Sequence, residues 1–187
     1  MATPTRFAHV VYRCGDFDAM IDWHTTVLEA EVVLRNDRLA FATYDEEHHR
    51  VAFIRDPRAA GTQVARDHAG VEHVAYTYAD LGDLADKYVT LRDRAITPEW
   101  CVNHGPTTSM YYRDPDGNRV ELQVDNYPTT QELNDWFRSG AMEENPIGVG
   151  FDPEDLVTKV AAGVPIETLR VRPPGPFEPG LVAPLGG

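Results

Sequence analysis

The chain has 187 residues, 42% hydrophobic and 25% charged, with a formal net charge of −13. That length suits one ordinary domain or two small packed modules, and the composition is globular, so wholesale disorder is not expected. The acidity and the lack of a Lys/Arg block weigh against nucleic-acid binding, and no apolar run nears the roughly 20 residues of a membrane span.

Met1 to Arg6 lacks the apolar stretch of a secretory signal, so a cytoplasmic protein is expected. Cys14 and Cys101 form no CxxC pair, which points to buried thiols and not to a disulfide framework or zinc ribbon. Phe7 to Tyr12 alternates like a strand, and Asp16 then caps a helix over 17–28, where Phe17, Met20, Ile21, His24, Val27 and Leu28 recur at helical spacing. His24 belongs to that apolar face and reads as a packed residue. Strands are predicted at Glu31–Arg35, Arg38–Tyr44 and Arg50–Arg55, split at Asn36-Asp37 and by the polar turn Asp45–His48. After Asp56–Gly70, which contains His68 and reads as a linker or lid, the same β-α-β-β-β order recurs. It runs as a strand at Glu72–Tyr78, a cap at Asp80, a helix near 81–94, and strands near 100–103, 108–113 and 119–124. Asp114-Pro-Asp-Gly117 supplies the last turn, Pro presetting φ and Gly accepting φ > 0. Thr129-Thr-Gln-Glu132 is a capping box opening a short helix that ends at Gly140. Asp152-Pro153-Glu154 opens another helix that stops at Gly163, and beyond Arg172 a Pro/Gly-rich tail is expected to be extended. Arg50, Arg113 and Arg119 read as surface or strand-pairing charges, and Trp23, Trp100 and Trp136 as core or pocket-wall residues.

The two modules share more than element order. His9-Val-Val-Tyr-Arg-Cys-Gly-Asp16 is echoed by His73-Val-Ala-Tyr-Thr-Tyr-Ala-Asp80, and His49-Arg-Val-Ala52-Phe-Ile by Asn118-Arg-Val-Glu121-Leu-Gln. His9 and His73 are therefore expected to be symmetry mates, as are Ala52 and Glu121. Two imidazoles and one carboxylate with open positions form the facial set that suits non-haem Fe(II) and oxygen chemistry. A buried, unpaired Glu121 would be costly, and a cation would remove that cost. Ala52 places a methyl group where a fourth ligand could stand.

Paired βαβββ modules, a His opening each, and DPDGNRVEL late in the second resemble the vicinal oxygen chelate superfamily over about residues 6–125. Glyoxalase I, bleomycin-resistance proteins and the type I extradiol catechol dioxygenases belong to it. The resemblance implies an α+β fold. Two paired βαβββ modules (6–56 and 70–125, within a domain spanning 1–128) would form an open, barrel-like mixed sheet around a metal site, with C-terminal helices and tail over 129–187. Glu-Glu-His48-His49-Arg-Val-Ala-Phe is similar to the extradiol segment that carries an acid/base His, and Ser109-Met-Tyr111-Tyr-Arg-Asp-Pro, with His104 before it, to the segment supplying a His and a Tyr beside the metal. On a strand His48 and His49 point to opposite faces, with His49 taken as inward. The segment around His104 runs about two residues shorter than in larger extradiol enzymes, which also carry a further N-terminal pair of modules; a compact, single-catalytic-domain type is implied.

The expectation is thus an Fe(II)-dependent extradiol dioxygenase, with Mn(II) as the other metal this ligand set accepts. It would insert both atoms of O2 into a catechol-type diol. Metal ligands are His9, His73 and Glu121, and the catalytic residues are His49, Tyr111 and His104. A metal-dependent isomerase or lyase of the same superfamily is the alternative, and a metal-free ligand-sequestering resistance protein a third reading. Partners are the aromatic diol and O2, with neither nucleic acid nor membrane, and a homo-oligomer, dimer or higher, is expected.

Overall fold

The computed structural model describes residues 1–65 and 69–175. His68 in the predicted linker, and the tail beyond Gly175, lie outside the described residues. The chain divides into two compact units, 1–65 with 114–118, and 66–113 with 119–187.

In the first unit, β1 (Val10–Cys14), α1 (Phe17–Leu28), β2 (Glu31–Arg35), β3 (Leu39–Thr43) and β4 (Val51–Arg55) build a four-stranded sheet in the order β1-β4-β3-β2. Asp16 caps α1 by accepting from the Ala19 amide. Period-two alternation sends Tyr12, Cys14, Ala40, Ala42, Val51 and Phe53 into the core with Phe17, Met20, Ile21, Val27 and Leu28 of the helix. His24 is buried in that layer, as its place on the apolar stripe predicts, and its Nε2 meets Asp114 Oδ2 at 3.2 Å. The strand begins at Val10, later than the predicted Phe7. Its parallel ladder with β4 starts at Val10↔Val51, while Phe7 is exposed and the Phe7 and Ala8 carbonyls accept from Arg50 instead.

In the second unit, β5 (His73–Thr77), α2 (Leu81–Arg92), β6 (Trp100–Asn103), β7 (Thr107–Arg113) and β8 (Arg119–Asp125) repeat the pattern. α3 (Thr130–Arg138), α4 (Ala141–Glu144), β9 (Val149–Gly150), α5 (Pro153–Ala161) and α6 (Ile166–Leu169) follow. The sheet order is β5-β8-β7-β6-β9. The expected mixed sheet is thus present as two hydrogen-bonded sheets, each open. β9, α4 and α6 are too short to leave a periodic signal in the sequence. Both the α3 capping box and the Asp152-Pro153 start of α5 form as the residues predict. Among the described residues no helix is long and apolar enough to cross a membrane.

Register makes the internal repeat concrete. Within the first sheet Val11 pairs with Ala52, and within the second Ala75 pairs with Glu121. His9 and His73 each stand two residues before those pairs, so each module holds its histidine and its Ala52 or Glu121 position in the same local relation.

Candidate active site

In the second unit, three neighbouring strands converge on one carboxylate. The DPDG turn aligns Arg113 opposite Arg119, and two steps back along each strand Tyr111 falls opposite Glu121. The parallel β5–β8 ladder brings His73 alongside, its Nε2 3.0 Å from Glu121 Oε2. Glu121 is only 4% exposed. Burial alone would push its pKa up, yet hydrogen bonds from His73 and Ser109, the His73 charge and the nearby Tyr111 hydroxyl outweigh that and hold it below the usual carboxylate range. Glu121 is therefore a charged group held in the interior by the His73 and Ser109 donors, with the Tyr111 hydroxyl within reach.

Tyr111 is buried, and its ring stacks on Trp100 at 4.9 Å. Its hydroxyl lies 2.9 Å from His104 Nε2. Burial, then the Glu121 charge, raises the Tyr111 pKa far above the ordinary tyrosine value, so the phenol stays protonated. His104 bonds through Nδ1 to the Ile147 carbonyl, and burial lowers its proton affinity. Arg119, expected as a surface or strand-pairing charge, lies in the β7–β8 ladder and is not at the surface. It is 3% exposed, donates to Glu99 and Glu72, and sits 5.9 Å from the centre of the Tyr111 ring, because the strand places it on the inner face.

The first unit holds the other predicted residues. His49 is buried, stacked on Phe41 at 4.3 Å and 11° between planes, whereas the His48 side chain is mostly exposed; both lie in the loop before β4, so their opposed directions come from that loop and not from the strand expected there. The His48 and His49 Nδ1 atoms are 2.6 Å apart, so one must carry a proton and the other accept it. The exposed ring of His9 lies 4.4 Å from that of His49. Burial, and then the neighbouring His9 and His48, lower the pKa of His49, favouring its neutral form near neutrality. Ala52 is buried between Val11 and Phe41 in the ladder and offers only a methyl group.

Among the described residues no three His, Cys, Asp or Glu side chains form a group that could hold a metal ion; the pair His73–Glu121 is what the second unit brings together. That pair nonetheless fits a cation. Two donors ~2.1 Å from a shared octahedral ion stand about 3.0 Å apart across a right angle, and Glu121 brings the negative charge such an ion needs. Sequence reasoning did not single out Ser109, although its place two residues before Tyr111 on the same strand face was a usable signal. It also passed over Asn145 and Arg172, which reach the site only through long-range contacts.

The α+β modules, with an imidazole and a buried carboxylate on adjoining strands, define a class of protein. The chain belongs to the Glyoxalase/Bleomycin resistance protein/Dioxygenase superfamily, whose family model matches residues 6–122. Two relatives narrow the comparison. The chain is 46% identical over 168 residues to biphenyl-2,3-diol 1,2-dioxygenase 2 of Rhodococcus globerulus, covering 90% of this chain and 87% of that protein. It is 44% identical over 172 residues to biphenyl-2,3-diol 1,2-dioxygenase 3 of the same organism, covering 92% and 90%. A 1,2-cleavage of a 2,3-diol breaks the ring bond beside the hydroxyl pair, so both relatives are extradiol enzymes. Among solved structures, lactoylglutathione lyase from Agrobacterium tumefaciens matches with a TM-score of 0.53 and 21% identity, over 66% of this chain and 96% of that one; it speaks to the fold alone.

Proposed function

We propose that this protein is a metal-dependent extradiol dioxygenase acting on a biphenyl-2,3-diol or a related catechol. The observation that carries the reading is the meeting of His73, Tyr111 and Glu121 on adjoining strands, in a chain alike over most of its length to two enzymes of that name. Glu121 and His73 supply two donors for Fe(II) or Mn(II), and His9 is the third on the strength of the sequence repeat. Bound there, the metal would bring the two diol oxygens and O2 together and let electrons pass from ring to oxygen.

The remaining work falls to side chains. His49, neutral and oriented by Phe41, has Nδ1 engaged with His48, which leaves Nε2 as the atom to take a proton from a diol hydroxyl and return it later. Tyr111 faces a ring oxygen, and His104, whose Nε2 meets the Tyr111 hydroxyl, exchanges a proton through it as that oxygen becomes a carbonyl and the ring opens. Trp100, stacked on Tyr111, keeps water from that side of the phenol. Cleaving the C1–C2 bond of the biphenyl diol yields a ketone at the phenyl-bearing C1 and a carboxylate at C2, each of these two carbons taking one atom of the O2. In solution the protein is proposed to be a homo-oligomer.

The test is anaerobic loading with Fe(II), addition of 2,3-dihydroxybiphenyl and simpler catechols, and admission of air. A yellow ring-opened product with matching oxygen uptake is expected. No colour and no oxygen uptake across the panel would turn the reading to the isomerase or lyase alternative.

A further inference from the structure

Downstream of the family-model match at 6–122, residues 141–172 place a frame around His104. We infer that Arg172 and Asn145 are positioning residues that fix the tautomer of His104, leaving Nε2, the nitrogen facing Tyr111, as its single port for proton exchange.

The frame starts with a tight loop. Asn145 is fully buried, its Oδ1 accepting from the Ile147 and Gly148 amides at 3.1 and 2.8 Å while its Nδ2 donates to the Gly148 carbonyl at 3.0 Å. Gly148 has φ +127, and a Cβ there would stand 2.4 Å from the Asn103 carbonyl oxygen, so only glycine lets the loop press against β6. Arg172 closes the frame from the other side. Its guanidinium donates to the carbonyls of Asn145 at 2.8 Å, Ala141 at 2.8 Å and His104 itself at 3.2 Å, and lies 5.1 Å from the centre of the Trp136 ring. A planar fork with fixed donors suits three carbonyls from two segments better than a flexible ammonium does.

This loop delivers the Ile147 carbonyl to His104 Nδ1. A carbonyl can only accept, so Nδ1 must carry a hydrogen, whatever the charge on the ring. Any proton His104 gains or loses therefore sits on Nε2, 2.9 Å from the Tyr111 hydroxyl. In the neutral ring that nitrogen accepts from Tyr111, drawing the phenolic hydrogen away from Glu121, which also lies within its reach. The lone pairs of Glu121 are then left to His73, Ser109 and a cation. With the opposite tautomer, Nε2–H would face Tyr111 and push the phenolic hydrogen onto Glu121. The resemblance to the two dioxygenases covers 90% and 92% of the chain, so it continues past residue 122 into this region.

The consequence for turnover rests on the ring-cleavage reading; the tautomer does not. The test uses the full-length chain labelled with 15N at histidine, with His104→Gln to assign the signal by NMR. Wild type is expected to show a protonated Nδ1 and an unprotonated, pyridine-type Nε2 at His104. R172Q should convert this to a mixture of tautomers while near-ultraviolet circular dichroism stays native, and R172K should restore it in part. In the iron-loaded enzyme R172Q should lower kcat by about 10–100-fold, the usual effect of losing a partner behind a site residue, with KM little changed. An intact Nδ1–H signature in folded R172Q overturns the inference, even if activity falls. Should R172Q fail to fold, the wild-type spectrum still decides, since a proton on Nε2 alone overturns it. A wild type with the expected tautomer but no ring cleavage would refute the function and leave the tautomer assignment standing.

Discussion

Replacing Glu121 by glutamine keeps the shape of the side chain and removes its charge, which separates two roles that alanine would confound. Two donors, from His73 and Ser109, converge on the carboxylate, while the Tyr111 hydrogen goes to His104. A hydrogen bond to a charged group contributes about 1.5–3 kcal/mol and a neutral one about 1, so the two together lose roughly 1–4 kcal/mol. Against this, a neutral amide escapes the several kcal/mol that taking a charge out of water costs. The two nearly cancel, and the metal-free protein should keep its melting temperature within about 4 °C. Metal binding has no such offset. Losing a partner behind a ligand already costs about 10–100-fold in affinity, and losing the one anionic donor should cost at least the upper end of that range. Differential scanning fluorimetry of the metal-free chain, together with chelator competition for Mn(II), reads both quantities. Affinity within about threefold of wild type would refute Glu121 as a ligand, on a scale where 1.4 kcal/mol is tenfold. A collapsed melting temperature with unchanged affinity would make it purely structural.

Further outcomes follow from the same geometry. His49→Ala should leave metal binding intact and cut turnover by about 10²–10⁴-fold, the usual contribution of a placed acid/base group; full activity in that variant removes the assignment. Asp114→Ala should cost about 3–5 kcal/mol in chemical denaturation, because this buried carboxylate accepts from His24 Nε2, the Asp116 and Asn118 amides and Asn118 Nδ2; a loss under about 1 kcal/mol would contradict its part in seating the turn. The pH dependence of stability has a definite sign. His49 and His104 have lowered pKa values, chiefly through burial. Below the unfolded histidine value of about 6.5 the unfolded chain therefore takes up protons first, and stability falls as pH drops through that range. Glu121, also lowered, keeps its contribution until pH falls below about 4.3, the unfolded carboxylate value, and loses it through its folded pKa. Melting temperatures that rise on acidification from neutrality toward pH 5 would contradict this.

Local rules made much of the fold legible. Helix α1 runs from Phe17 to Leu28 because an Asp cap and an apolar stripe agree, and α3 because its capping box is complete. The expected opposition of His48 and His49 is found, but in the loop before β4 and not on a strand, so alternation is not its cause. The pairing of Tyr111 with Glu121 was available once the DPDG turn set the register of its hairpin. What escaped depends on contacts far apart in sequence. β9 has two residues and exists by pairing with β6. Arg119 looks like any strand arginine until Glu99 and Glu72 are seen around it. Arg172 stands in a stretch rich in Pro and Gly with no periodicity, and its tie to His104 is visible only once 141–148 is folded. The late start of β1 has a similar origin, since Arg50 takes the Phe7 and Ala8 carbonyls that a longer ladder would have used.

The central claim is that this chain opens a diol-bearing ring with both atoms of one oxygen molecule. Single-turnover reaction of the iron-loaded protein with 2,3-dihydroxybiphenyl under 18O2, quenched at once for mass spectrometry, measures that directly. The account predicts a ring-opened product carrying two labelled oxygen atoms. A product with one labelled atom or none, or a diol recovered with its ring intact, would contradict it.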